Sequence, residues 1–138
     1  MEDTGDTRVL LVEDNAAEAR LLKEILATID DEMDIRIARD GEEAVKMLSG
    51  RGRKEKYDMI LLDLNMPKKG GFEVLESIKG MELPPVIILS TSDSEKDIKR
   101  AYDMNVNCFV TKPIGLDKMI ATVTAIRKFW IENPRRAI

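Results

Sequence analysis

Three short, uninterrupted apolar runs constrain the fold of this chain more than any other feature. Residues 9–12, 59–62 and 86–89 are each four consecutive apolar residues, and a polar or acidic residue follows each run. A run this short, with no polar alternation, is typical of a strand that is covered on both faces. Strands of that kind occur in parallel sheets that carry helices on both sides.

The rest of the chain completes an alternation of strands and helices. The strands are predicted at 8–12, 33–38, 57–63, 86–90 and 107–111. Asp40 with Glu43, and Ser92 with Glu95, have the spacing of capping boxes at helix starts. The predicted helices are one that carries Leu22, Ile25, Leu26 and Ile29, one from Asp40 through Leu48, and three at 71–79, 92–104 and 116–131. Strands that alternate with helices predict an α/β fold, a doubly wound parallel sheet with helices on both faces.

Composition excludes several classes of function. The chain has 138 residues, a formal net charge of −4 and no histidine. This charge gives no reason to expect nucleic-acid binding. The lack of histidine excludes histidine-based catalysis, histidine metal ligands and a phosphohistidine on this chain. No apolar run approaches the roughly 18 residues of a membrane helix, and the single cysteine, Cys108, fits a reducing cytoplasm.

One domain is expected, because a chain of this length suits a single core. We expect that domain to cover residues 8–132. The acidic residues 1–7 are expected to form a disordered tail rather than a signal peptide. Residues 133–138 are expected to form a short C-terminal tail.

Polar side chains follow four of the five predicted strands, at the point where each strand ends. The residues at these positions are Glu13 and Asp14, Asp63 with Asn65 two residues later, Ser90 and Thr91, and Lys112 followed by Pro113. The carboxyl ends of parallel strands meet at one edge of the sheet, where ligands of open α/β sheets bind. We therefore expect three carboxylates, a hydroxyl and an ammonium group to converge on one small site.

Three close carboxylates repel one another, so some must be protonated or a cation must neutralise them. Oxygen ligands of this kind suit Mg²⁺. A carboxylate beside Mg²⁺ can act as a nucleophile toward a phosphoryl group and form an aspartyl phosphate. Each residue alone also has an ordinary interpretation as a turn former, a helix cap or a solvated side chain. Their joint placement after four strands is what favours phosphoryl chemistry.

The same residues resemble the receiver domain of two-component response regulators. The resemblance spans about residues 8–130 and rests on Glu13-Asp14, Asp63 with Met66-Pro67 and Gly71, Ser90, and Lys112-Pro113. It implies a flavodoxin-like sheet of strand order 2-1-3-4-5. The stretches DLNMPKKGGFEVL, LSTSDSEKDI and VNCFVTKP are most similar to stand-alone receivers of the cyanobacterial phytochrome-partner type.

The resemblance implies a role for each residue of the acidic site. Asp63 would accept the phosphoryl group. Glu13 and Asp14 would hold Mg²⁺ together with Asp63 and the backbone carbonyl of Asn65. Lys112 would bind the phosphoryl group.

The resemblance also implies a switch. Ser90 would be the switch hydroxyl, or Thr91 if the alignment is shifted by one residue. Phe109 stands where the family often has a switch tyrosine, so a hydroxyl is missing there. Gly71 would be structural, and the Lys112–Pro113 bond would be cis, as is typical of the family.

The function implied is that of a receiver with no attached output domain. The chain would take its phosphoryl group from the phosphohistidine of a partner histidine kinase, for example a phytochrome-type sensor, and would signal to a downstream protein that the sequence does not identify. One alternative is a Mg²⁺-dependent phosphohydrolase with Asp63 as nucleophile. Haloacid-dehalogenase-type enzymes need an acid where this chain has Asn65. Another is a nucleotide- or flavin-binding module, but no GxGxxG motif or P-loop follows any strand.

The last predicted helix also suggests an interface. Met119, Val123, Ile126 and Trp130 lie on one stripe with the spacing of core residues. Phe129 and Ile131 fall to either side of this stripe. Phe129 is therefore expected to be partly exposed, and it would either anchor a twofold homodimer or pack with Ile131 on residues 134–136.

Overall fold

Five parallel strands form one sheet in the order β2-β1-β3-β4-β5, with helices on both faces. A computed structural model describes residues 7–30, 32–49, 56–64, 66 and 70–132. The strands are β1 (Arg8–Val12), β2 (Asp34–Ala38), β3 (Met59–Leu62), β4 (Val86–Ser90) and β5 (Cys108–Thr111). The helices are α1 (Ala16–Ile29), α2 (Gly41–Ser49), α3 (Gly71–Ser77), α4 (Glu95–Asp103) and α5 (Leu116–Arg127), and a π-helical segment, Lys128–Glu132, continues α5. The predicted fold class and strand order are confirmed.

The continuous apolar character of the central strands follows from the two cores that they separate. In β1, Leu10 and Val12 pack into the core on one face, whereas Val9 and Leu11 pack into the core on the other. The first core also receives α2, α3 and part of α4, and the second receives α1 and α5. Every residue of a central strand therefore has an apolar environment, whichever face it points to.

Backbone pairing continues one residue beyond three of the strands. Glu13 N–H donates to the Ala38 carbonyl at 3.0 Å, and Asp63 N–H donates to the Val12 carbonyl at 3.1 Å. Lys112 N–H donates to the Ser90 carbonyl at 2.7 Å. The residues that follow β1, β3 and β5 are thus fixed by the sheet itself, although they lie outside the strands.

The start of α4 differs from the sequence-based prediction. Ser94, not Ser92, is the N-cap, and its hydroxyl accepts a hydrogen bond from Asp97 N–H. The predicted capping box of Ser92 with Glu95 is therefore wrong. Ser92 N–H instead donates to Ser90 Oγ at 3.1 Å, which keeps Ser92 in the loop, and its own hydroxyl donates to the Asp97 carboxylate at 2.7 Å.

The capping box predicted for α2 is half correct. Asp40 Oδ1 accepts from Glu43 N–H at 2.8 Å as expected. The Glu43 carboxylate, however, accepts from Arg39 N–H rather than from Asp40 N–H. The helix begins at Gly41 as the pattern predicts.

The last helix ends earlier than predicted. The α-helix stops at Arg127, and the π-helical segment covers the remaining predicted residues. Met119, Val123 and Ile126 are buried and Trp130 packs against the same core, so the predicted core stripe is confirmed. Ile131, which was predicted beside this stripe as an interface residue, also packs partly buried against this core. Of the expected tails, 1–7 and 133–138, only Thr7 is described, and its carbonyl accepts from Asp34 N–H at 2.7 Å. No helix in the described parts of the chain is both long and apolar enough to cross a membrane.

Gly71 lies where the start of α3 meets the segment after β3. A Cβ atom at this position would lie 2.6 Å from Leu64 Cα and 2.9 Å from the Asp63 carbonyl oxygen. Both are backbone atoms, so making room for a Cβ atom would require the main chain to shift. Only glycine fits, which supports the structural role expected for Gly71.

Substitution of Gly71 should therefore destabilise the fold much more than substitution of its neighbour. Gly71→Ala should cost close to the upper end of about 1–3 kcal/mol, because the new methyl group overlaps backbone. A Cβ atom at Gly70 would have its nearest contact at 3.6 Å, so Gly70→Ala should cost less than about 1 kcal/mol. Urea unfolding of both variants measures the difference, and equal stabilities would contradict the steric argument.

Candidate functional site

Three carboxylates meet at the carboxyl edge of the sheet. One oxygen atom from each of Glu13, Asp14 and Asp63 can be chosen so that all three lie within 4.8 Å of one another. Glu13 is only 2% exposed and Asp63 7%, whereas Asp14 is partly exposed. The sequence-based prediction that these acids converge is confirmed.

Lys112 brings a positive charge to this cluster. Its Nζ lies 3.2 Å from Glu13 Oε1 and 3.4 Å from Glu18 Oε1. The Lys112 side chain is 8% exposed, so its ammonium is largely removed from water. Such burial is tolerable because the neighbouring carboxylates compensate it.

Burial and charge together shift the pKa values of the pair. Burial, and then the negative charge of Asp63, raise the pKa of Glu13 from 4.5 to about 7, with Lys112 opposing the rise. Burial lowers the pKa of Lys112, but the carboxylates of Asp63, Glu13 and Glu18 outweigh it, so this pKa lies above its ordinary value. The ammonium is therefore charged at neutral pH, while Glu13 is partly protonated when nothing else neutralises the cluster.

This donor set fits a divalent cation. Hard carboxylate oxygens are the ligands that such ions prefer. One ammonium cannot balance three carboxylates. The raised pKa of Glu13, caused first by burial and then by the charge of Asp63, shows that Lys112 does not fully compensate this environment. Asn65, whose carbonyl was expected to complete the site, lies outside the described residues.

Ser90 is the hydroxyl predicted to act as the switch. It ends β4, is fully buried, and pairs in the sheet with Thr111. Its Oγ accepts from Ser92 N–H. Thr91, the alternative, is exposed, so the placement favours Ser90.

Phe109 occupies the position where the resemblance implies a switch aromatic residue. The Phe109 side chain packs partly buried against the first core. Its backbone N–H donates to the Tyr102 hydroxyl at 3.0 Å, so a phenol from α4 contacts this position although residue 109 has none.

The expected cis bond at Pro113 is wrong, because none of the peptide bonds among the described residues is cis. Trans is the lower-energy isomer of an X–Pro bond, and Lys112 reaches Glu13 in this geometry.

Two contributors were missed by sequence reasoning. Glu18 contacts Lys112 from the first turn of α1, and Tyr102 contacts the backbone of β5. Glu18 has the pattern of an ordinary acid in the first turn of a helix, and no spacing in the sequence distinguishes it as a neighbour of the site. The residues predicted to form an interface, Phe129 and Ile131, are not part of the acidic site. Phe129 is 51% exposed, as expected, and its ring meets that of Trp130 edge to face at 4.8 Å between centroids.

In the absence of a bound cation, protein stability should fall as pH rises from about 4.5 to about 7, the interval between the ordinary and the folded pKa of Glu13. Its folded pKa of about 7 exceeds the ordinary 4.5, so the folded protein keeps a proton that the unfolded chain has released. The free energy of unfolding should decrease over this interval by an amount on the order of 1–3 kcal/mol. Urea midpoints measured across pH in EDTA test this, and the absence of histidine removes the usual competing titration.

Glu13→Gln is the control, because it removes the titrating group and should flatten the slope. Asp30 and Asp34 serve as internal references. Hydrogen bonds from Arg127 and Arg36 lower the pKa values of these two acids, so their contribution is lost only in more acidic solution. An unchanged slope in Glu13→Gln would show that another group is responsible.

Comparison with known proteins agrees with this geometry. The family described as response regulator receiver domain matches residues 9–124. The response regulator Rcp1 of Synechocystis sp. is 41% identical over 131 residues, which are 91% of this chain and 89% of that protein.

Two solved structures are similar over nearly the whole chain. The phosphorylated cyanobacterial phytochrome response regulator RcpA is 41% identical, with a TM-score of 0.83 over 92% of this chain and 95% of that one. The Mn²⁺-bound form of Rcp1 is 40% identical, with a TM-score of 0.82 over 92% of this chain and 96% of that one. On this evidence, the chain belongs to the response regulator receiver domain family.

Proposed function

We propose that this protein accepts a phosphoryl group on Asp63 from the phosphohistidine of a partner kinase and transmits the change through α4, β5 and α5. The observation that carries the proposal is the cluster of Asp63, Glu13 and Asp14 beside the buried ammonium of Lys112. Phosphoryl transfer depends mainly on positioning and charge neutralisation. The sheet edge supplies the positioning, and Lys112 together with a cation held by the carboxylates would supply the positive charge.

The reaction assigns a role to each side chain. A carboxylate oxygen of Asp63 forms a bond to phosphorus, the phosphorus–nitrogen bond of the donor breaks, and its electron pair returns to the imidazole. Lys112 pairs with an oxygen of the transferred group, and the Ser90 hydroxyl donates to another. Glu13 and Asp14, with Asp63, would hold Mg²⁺, which when bound supplies positive charge to the phosphoryl oxygens.

The partner and the setting follow from the same proposal. The chain has no histidine, so the phosphohistidine belongs to another protein. Similarity to RcpA, which is named a phytochrome response regulator, supports a phytochrome-type sensor kinase as that partner. We place the reaction in the cytoplasm, where a single unpaired cysteine is stable. The protein would act as a phosphoacceptor and not as an enzyme with multiple turnovers.

Acetyl phosphate should label Asp63. Incubation with Mg²⁺ should add the mass of one phosphoryl group to the intact protein, because the small donor needs no kinase surface. Asp63→Asn should abolish the addition. Asp58→Asn is the matched control, since Asp58 precedes the same strand at the opposite edge of the sheet and accepts from Arg8 N–H. Excess EDTA should suppress labelling of the wild type.

Labelling of Asp63→Asn at the wild-type level would remove Asp63 from the mechanism. Rapid hydrolysis of a small phosphate ester over many turnovers would instead favour the phosphohydrolase. Labelling that survives complete removal of divalent metal would contradict the role of Glu13 and Asp14.

A twofold dimer through the end of α5 is part of the proposal. Phe129 is a half-exposed aromatic side chain, and residues of this kind are favoured anchors at interfaces. Light scattering on the phosphorylated wild type should show a dimer, and Phe129→Asp should shift it to the monomer. Leu116→Asp is the matched control, because Leu116 is 55% exposed and lies at the other end of the same helix. A wild type that remains monomeric in both phosphorylation states at high concentration would exclude self-association.

A further inference from the structure

Lys112 is held by carboxylates from two different parts of the chain. Glu13 follows β1 and belongs to the acidic cluster, whereas Glu18 lies in the first turn of α1. The Glu18 side chain is 33% exposed, whereas that of Lys112 is 8% exposed. The ammonium is therefore under the influence of Asp63 and Glu13 inside the acidic cluster and of Glu18 outside it.

The chain fixes Glu18 in this place through the start of α1. The N-cap Asn15 accepts from Glu18 N–H at 2.9 Å through its side-chain oxygen. The N–H of the same Asn15 donates to Glu13 Oε2 at 3.3 Å. Asn15 therefore holds the carboxylate of Glu13 and the backbone of Glu18, so the turn between β1 and α1 fixes the relative position of the two residues that contact Lys112.

This pairing has a consequence for the proposed phosphoryl transfer, on which the inference rests. The negative charge of Asp63 already acts on the Lys112 ammonium, and the proposed transfer requires this ammonium to pair with an oxygen of the phosphoryl group. A pairing with Glu18 that is weakened by the transfer stabilises the unphosphorylated state and opposes the change. We propose that Glu18 is a positioning residue that holds Lys112 on the α1 side of the site and thereby sets how tightly the phosphoryl group is bound.

Two substitutions separate this contact from the general effect of charge. Glu18→Gln removes both the charge and the ion pair. Glu18→Asp keeps the charge in the first turn of the helix but shortens the side chain, so it cannot span the 3.4 Å contact from the same backbone position. Neither change touches Glu18 N–H, so the hydrogen bond that it donates to the side-chain oxygen of Asn15, which caps α1, is preserved.

The measurement is calorimetric binding of beryllofluoride, a phosphoryl mimic, in the presence of Mg²⁺. Both variants should bind it about two- to five-fold more tightly than wild type, since a partly exposed ion pair of this kind has a modest strength. Glu24→Gln and Glu24→Asp are matched controls, because Glu24 is an exposed acid on the same helix. These control variants should bind as the wild type does, and melting temperatures should establish that all variants are folded.

Each possible result of these binding measurements supports or overturns the positioning role of Glu18. Tighter binding by Glu18→Gln alone would show a field effect of the charge and overturn the positioning role. Unchanged or weaker binding by both variants would also overturn it, while leaving the proposed function intact if the wild type binds and Asp63→Asn does not. Failure of the wild type to bind, or equal binding by Asp63→Asn, would overturn the proposed function and the inference with it.

Discussion

Neutralising three carboxylates at one edge of the sheet is the constraint on which the rest of this structure depends. Glu13, Asp14 and Asp63 lie together, and Lys112 brings an ammonium into contact with the cluster. Bringing such groups out of water costs several kcal/mol each unless geometry compensates it, on the order estimated for buried ions. Burial, and then the charge of Asp63, raise the pKa of Glu13. An additional cation would relieve this repulsion, so the cluster is suited to a cation and to phosphoryl chemistry.

Backbone hydrogen bonds of the sheet, rather than loops, hold these charged residues in place. Each residue that follows β1, β3 and β5 continues the hydrogen bonding of its strand. The apolar strands beneath are packed on both faces by two separate cores. Rigid sheet edges of this kind position functional side chains more accurately than mobile segments do. Gly71 adds to the restraint, because it lets α3 approach the backbone beside Asp63.

Much of this could be predicted from the sequence. The apolar runs of β1, β3 and β4 admit few other structures, because each is followed by a helical pattern and ends at a polar residue. Once the strands are parallel, their carboxyl ends must meet, so the positions of Glu13, Asp63 and Lys112 follow from chain order alone.

The parts that were missed depend on side-chain geometry that no periodic pattern encodes. Glu18 and Ser94 have the composition expected of any helix start, and the choice between Ser92 and Ser94 as N-cap turns on a hydrogen bond to Ser90. The isomer at Pro113 depends on a small free-energy difference between two forms of one bond. The π-helical segment after Arg127 accompanies the packing of Trp130 and Ile131 on the core. Tertiary contacts decide each of these points.

The hydrogen bond between Tyr102 and Phe109 affects how the edge of the sheet is protected from aggregation. β5 is an outer strand of the sheet, and the N–H groups on the free side of such a strand can template pairing with another chain. The Tyr102 hydroxyl occupies one of these groups from α4. The helix thus shields the margin of the sheet against strand-by-strand aggregation, and it does so through the backbone, whatever side chain residue 109 carries.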